Sequence, residues 1–178
     1  MALGDLRKLL SQCIEPQHNK YITLGIKLYQ RKGQDFSEEI GSHFVQACLR
    51  LNSADIAVET LKVTENRISA WIPPKAATEL MDNLGNHGKI EAMVDVADIL
   101  LKKGNLVKPK EYCAQILRSV SSYGTEDLYN RTKLLFENHL SANELDDLIL
   151  LYPFTNKSIP LSDENVEDPK DPVTSLEK

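Results

Sequence analysis

Apolar residues recur along most of this chain at i, i+3, i+4 and i+7, the spacing that lines one face of a helix rather than one side of a strand. The pattern is clearest in the middle. Ala77, Leu80, Met81 and Leu84 form one stripe, preceded by Pro73-Pro74. Proline fits the first turn of a helix, where its missing N–H is not needed. Asn86-His87-Gly88 interrupts the stripe, and Gly88 can take the left-handed conformation that ends a helix. Ile90, Met93, Val94, Ala97, Leu100 and Leu101 make a second stripe. Lys102-Lys103 suit the negative end of its dipole, and Gly104 supplies a stop. The stretch predicts an antiparallel helical hairpin over 74–104, with an apolar face that needs neighbours.

Neighbours of the same kind are present. Gly41, Phe44, Val45 and Cys48, then Ala54, Ala57, Val58 and Leu61, predict a hairpin over 38–72. Ser37 is its N-cap, with Glu38 and Glu39 in the first turn. A shift of 36 residues carries these eight positions onto Ala77, Leu80, Met81, Leu84, Ile90, Met93, Val94 and Ala97, so every pair is apolar or small. A second shift of 36 carries Ala77, Leu80, Met81 and Leu84 onto Cys113, Ile116, Leu117 and Val120, and Gly88 onto Gly124, giving a hairpin over 110–140. Past Gly124 the register is expected to slip by a residue or two, with Leu128, Leu135, Phe136 and Leu140 as the apolar face.

Toward the N-terminus, Leu3, Leu6, Leu10 and Cys13, then Tyr21, Leu24, Gly25 and Leu28, predict a hairpin over 3–33. Leu3–Cys13 is apolar enough to suggest that this end docks elsewhere, because terminal repeats otherwise need polar caps. Leu145, Leu148 and Ile149 mark a last, capping helix over 142–151. A helix–turn–helix recurring every ~35 residues is the mark of an α-solenoid. The expected fold is therefore all-α, a solenoid of three to four hairpins within residues 1–152. From 153 onward, prolines at 160, 169 and 172, many acids and few large apolar residues predict a disordered acidic tail.

Charge and composition narrow the function. The 178 residues carry a formal net charge of −5, which argues against a mainly electrostatic nucleic-acid binder. Six acids and three lysines lie from Asn156 on; without that net −3 the helical body is close to neutral. Cys13, Cys48 and Cys113 are odd in number and widely spaced, which excludes a zinc knuckle and points to buried structural thiols. No apolar run reaches the ~18 residues of a membrane span. Asp5 and Glu15 make the first helix a structural one rather than a targeting peptide. His18, His43, His87 and His139 are dispersed, and GxSxG, HExxH and P-loop motifs are absent from the sequence. Glu144, Asp146 and Asp147 have an explanation as helix-start acids. The expectation is a protein without catalytic, cofactor-binding or metal-binding residues.

The central unit resembles a pentatricopeptide repeat. Gly88-Lys89-Ile90-Glu91 matches the family's turn, Met93–Leu101 its second helix, and Lys102-Lys103-Gly104 followed by Lys108-Pro109 its approach to the next unit. Glu38–Pro73 is a weaker copy, and Lys110–Leu140 weaker still. Tetratricopeptide repeats share the hairpin, but their Trp/Gly/Tyr signature is missing and Trp71 lies in a linker. The resemblance implies single-stranded or ribosomal RNA, or proteins of a mitochondrial ribonucleoprotein complex, as partners, and a mitochondrial location. Family members read a base through a short polar residue early in the first helix, which falls here on Ser42, Thr78 and Ala114, and through the unit's last position, which falls near Pro73 and on Lys110. Ser42 and Thr78 fit; Ala114, Pro73 and Lys110 depart from the pattern. That makes the chain a degenerate member, a scaffold rather than a sequence reader. Lys102, Lys103, Lys108 and Lys110, with Lys89 nearby, are the candidate phosphate contacts. Tyr112 and Tyr123 are candidates for base stacking or for packing between repeats. The rival reading is a cytoplasmic, tetratricopeptide-like adaptor that grips a protein and no RNA.

Overall fold

The structure is a computed structural model that describes residues 2–33, 35–63, 67–102 and 109–155, the side chain of Leu3 excepted. The expected acidic tail from Asn156 lies outside the described residues. Among the described residues the fold is all-α and repeat-like. The helices are α1 (Leu3–Gln12), α2 (Asn19–Arg31), α3 (Glu38–Arg50), α4 (Ala54–Val63), α5 (Pro74–Asn86), α6 (Ile90–Lys102), α7 (Pro109–Tyr123), α8 (Glu126–Glu137) and α9 (Ala142–Leu151). They pack in two rows. The first helices touch in the order α1, α3, α5, α7, α9, and the second helices in the order α2, α4, α6, α8. Consecutive helices also pair, so a single apolar core runs through the chain from Leu6 to Leu148.

Local chemistry explains the helix ends. Ser37 Oγ accepts the Ile40 N–H at 3.3 Å, Thr125 Oγ1 accepts the Leu128 N–H at 3.2 Å, and Ser141 and Glu144 form a reciprocal capping box. The turns after α3 and α5 are copies of each other. The Ser53 N–H donates to the Cys48 carbonyl at 2.9 Å, and the Lys89 N–H donates to the Leu84 carbonyl at 2.9 Å. These six-to-one bonds straddle a residue with positive φ, Asn52 at 50° and Gly88 at 68°. Both partners of the bond and the left-handed residue are 36 positions apart.

The third turn departs from the copy. Gly124 matches Gly88 in sequence but is not among the residues with positive φ. It is buried, and an added Cβ would lie 2.7 Å from the Val120 carbonyl oxygen. Here glycine serves a close approach rather than a left-handed turn. Gly41 does likewise: a Cβ there would lie 2.0 Å from the Trp71 carbonyl oxygen. The 3-10 turn Ser69–Trp71 thus crosses directly over α3, and Trp71 sits half-buried in that crossing.

Two sequence expectations change. In α8 the buried residues are Tyr129, Thr132 and Phe136, while Leu128, Leu135 and Leu140 only pack partly against the core. Tyr129, Thr132 and Phe136 lie 36 residues beyond Met93, Val96 and Leu100, all buried, so the register holds past Gly124 instead of slipping. The hydroxyls of Tyr129 and Thr132 hid this from a count of apolar residues. Tyr129 donates to the Tyr152 carbonyl at 2.8 Å, and Thr132 donates to its own helix at Leu128, 2.7 Å away. In α2 the expected core stripe is the wrong one. Ile22, Gly25, Ile26 and Tyr29 are buried, whereas Tyr21, Leu24 and Leu28 are 42%, 50% and 39% exposed. Only Gly25 belongs to both sets. The helix carries two apolar stripes, and among the described residues only one is buried.

Candidate functional site

The expected base-reading positions fall where the sequence puts them on the helices. Ser42 and Thr78 are each the fifth residue of a first helix, on α3 and α5, which pack side by side. Both side chains are half-buried. The Thr78 hydroxyl donates to the Pro74 carbonyl of its own helix at 3.0 Å, so its proton is already committed. Ala114 is half-buried on α7 and offers no hydrogen-bonding group.

The described lysines of the cluster, Lys89, Lys102 and Lys110, each face a carboxylate. Lys102, at the last position of α6, pairs with Asp98 one turn back at 2.7 Å. Lys110, at the start of α7, faces Asp147 of α9 at 4.0 Å. Lys89 is hydrogen-bonded to Asp55 of the preceding hairpin. Lys103 and Lys108 lie outside the described residues. A lysine already facing a carboxylate loses much of its gain from neutralising a phosphate.

The first-helix row as a whole mixes signs. Arg7 of α1 pairs with Glu39 of α3 at 2.8 Å, and Glu39 also lies 3.8 Å from His43. Lys75 lies 4.0 Å from Glu79, and Gln115 of α7 is bonded to Asp82 of α5. Among the described residues the result is a polar surface of alternating sign rather than a basic stripe. The second-helix row carries a ladder of ties instead. Asn19 donates to Ser53 at 2.8 Å, and Asp95 of α6 accepts from Lys62 of α4 and from Arg131 of α8, both at 2.6 Å. Partial burial of Asp95 works against its charge, but the two cations outweigh it and hold the carboxyl below the usual range. Arg50 adds a tie of another kind. Its guanidinium donates to the Leu10 and Cys13 carbonyls at 2.9 and 3.1 Å, and so caps the C-terminal end of α1.

Of the remaining candidates, Tyr112 and the three cysteines are accounted for by packing, and Tyr123 is not. Tyr112 is buried in the core, whereas Tyr123 is exposed beside a cleft of about 370 Å³ between the turns at Gly88 and Gly124. Cys13, Cys48 and Cys113 are buried free thiols. Burial pushes Cys48 and Cys113 up to about 12, with nearby Cys13 adding to the rise at Cys48, so neither ionises at neutral pH. Among the described residues no group of acids, histidines and cysteines is arranged to hold a metal ion, and no helix is long and apolar enough to cross a membrane.

Apart from Val63 and Tyr123, the large apolar residues left exposed among the described residues lie toward the two ends. At the N-terminal end they are Ile14, Tyr21, Leu24 and Leu28; at the C-terminal end, Leu134, Leu150 and Leu151. A signal for the first was present: the 36-residue shift carries Tyr21 and Leu24 onto Ala57 and Thr60, then onto Met93 and Val96. Comparison with known proteins gives no relative: no protein-family model, no curated protein and no solved structure matches the chain.

Proposed function

We propose that this chain is a non-enzymatic helical-repeat scaffold, an α-solenoid of the pentatricopeptide type, that works by holding protein partners. The observation that carries the reading is the repetition in three dimensions. The turns after α3 and α5 make the same hydrogen bonds 36 residues apart, and the helices stack in two continuous rows. Such a stack offers a long surface and little enclosed volume, the geometry suited to macromolecules rather than small substrates.

The choice of protein over RNA as the direct contact rests on charge. Single-stranded RNA binders combine a positive groove with exposed aromatic platforms. Here the first-helix row alternates in sign, and Lys89, Lys102 and Lys110 each face a carboxylate. The pentatricopeptide resemblance of Gly88–Gly104 supplies the setting, a mitochondrial RNA–protein assembly such as the ribosome, which the chain would join through its proteins.

The test is affinity capture of the full chain from a mitochondrial lysate, divided with and without ribonuclease. Partners that stay bound after ribonuclease, together with no salt-dependent affinity of the purified chain for oligouridine, are the expected result. Loss of every partner on ribonuclease treatment would overturn the protein reading in favour of direct RNA binding.

A further inference from the structure

The exposed stripe of α2 is defined by comparison with its copies. Its positions recur in α4 as Ala57 and Thr60, in α6 as Met93, Val96 and Leu100, and in α8 as Tyr129, Thr132 and Phe136; position 64 lies outside the described residues. Every one of these copies is at most 5% exposed. What separates α2 from the others is its place: α4, α6 and α8 each have a second helix before them in the row, and α2 has none among the described residues. Tyr21, Leu24 and Leu28 are therefore the half of a stacking interface that the inner hairpins fill.

On α2 itself the rim of that stripe is charged in one sense, with Glu15 of the preceding turn the nearby acid. α2 carries Lys20, Lys27 and Arg31, all exposed, and no acid. At the other end of the stack, α9 has the opposite character, although its Asp147 faces Lys110 of α7. α9 carries Glu144, Asp146 and Asp147 and no base, and its Leu150 is 83% exposed. On α8, Leu134 is 62% exposed, with Glu137 exposed one turn on and Lys133 beside it, half-buried over the Tyr129 ring. Leu134 stands in register with Asp98 and Lys62, which are charged and part-exposed, and with Ile26, which is buried; of the four copies it is the apolar one left open to solvent.

We propose that the chain associates head to tail with a second copy of itself, the acidic, apolar C-terminal end of one copy (Leu134, Leu150) seating on the basic, apolar N-terminal end of the next (Tyr21, Leu24, Leu28). The contact continues between chains the packing that joins hairpins within one. Two different patches meet, so the interface is heterologous, and it propagates into open rows or closes into a ring. Opposite charge on the two rims guides the encounter and disfavours head-to-head pairing of two basic ends.

The inference rests on the stacked-hairpin reading above, and its test separates the two. The full chain is studied by sedimentation velocity over a wide concentration range, and by disulfide formation between Leu24→Cys and Leu150→Cys variants. Both sites are exposed and the three native thiols are buried, so the helical circular-dichroism signal should be unchanged in each variant. The expected result is a mass that rises with concentration, and cross-linked dimers when the two variants are mixed but not from either alone. Lys20→Glu with Lys27→Glu and Arg31→Glu should raise the concentration of half-association by about tenfold or more. Adding Glu137→Lys and Asp146→Lys to that same chain should restore it. A folded chain that stays monomeric throughout would overturn the proposal, as would cross-linking of Leu24→Cys to itself. If that monomer still retains ribonuclease-resistant partners, self-association falls and the scaffold reading stands.

Discussion

Leu28 and Leu100 are the same residue at the same place in the repeat, two shifts of 36 apart, yet Leu100 is fully buried and Leu28 is 39% exposed. The helices around them are of equal length, 13 residues each, and both are amphipathic. What differs is the neighbour. α6 lies between α4 and α8, while α2 has α4 on one side only. Burial in this molecule is thus set by position in the stack as much as by the residue, and a stack exposes at its ends what it hides in its middle.

The sharpest way to break that comparison is to truncate both leucines. Leu100→Ala should cost about 2–5 kcal/mol, the range for a fully buried leucine. Leu28→Ala should cost less, about 1–2 kcal/mol, because 39% of the residue stays exposed to water in the folded chain. Urea unfolding of the two variants with unchanged slope reads the difference, and equal costs would show that Leu28 is as well covered as Leu100, against the contrast between end and middle. Next in size is Gly41→Ala. Its methyl group would meet the Trp71 carbonyl, backbone against backbone, so the 3-10 turn must move off α3 at about 1–3 kcal/mol. The same change at Gly4, near the N-terminus, meets no atom within 4 Å and should be nearly neutral or slightly stabilising.

The smallest effect tests the ladder on the second-helix row. The Asp95 carboxyl is held below its ordinary value by Lys62 and Arg131 against the cost of its partial burial. A carboxylate with a lowered folded pKa stabilises the fold above its unfolded value, about 3.9, and loses that contribution as pH falls through the folded value. Asp95→Asn should therefore cost up to about 1 kcal/mol at neutral pH, since both cations are half-exposed. The variant and parent should converge when unfolding is measured below that range. A gap that persists in acid would mean that the side chain acts through packing rather than charge.

How much of this was legible in the sequence differs between levels. Helices and turns were, because their signals are local: Ser37 and Thr125 cap where a side-chain oxygen can reach the first free N–H groups, and Gly88 turns left-handed where a Cβ is disfavoured. The choice of face on α2 was not. Ile22, Ile26 and Tyr29 and the rival Tyr21, Leu24 and Leu28 are both apolar at helical spacing, and no local rule says which will find a partner. Gly41 and Gly124 looked like a small core residue and a turn signal, but Gly41 is required by the backbone of the turn at Trp71, and Gly124 by its own close approach to Val120 at the end of α7. The site was the least legible. Ser42 and Thr78 were rightly located on their helices, but the pairing of Lys89 with Asp55 and of Lys110 with Asp147 depends on hairpins packed against each other. A count of lysines cannot anticipate it.

Native-state hydrogen exchange on the full chain tests the stacked arrangement most directly. Each hairpin leans on its neighbours, so amides of α4, α5 and α6 should be the slowest to exchange, with protection falling toward α1–α2 at one end and α9 at the other. Uniform protection from α1 to α9, lost in a single step, would contradict the account, because it would make the molecule one indivisible bundle and leave the exposed stripes at its two ends without meaning as repeat positions.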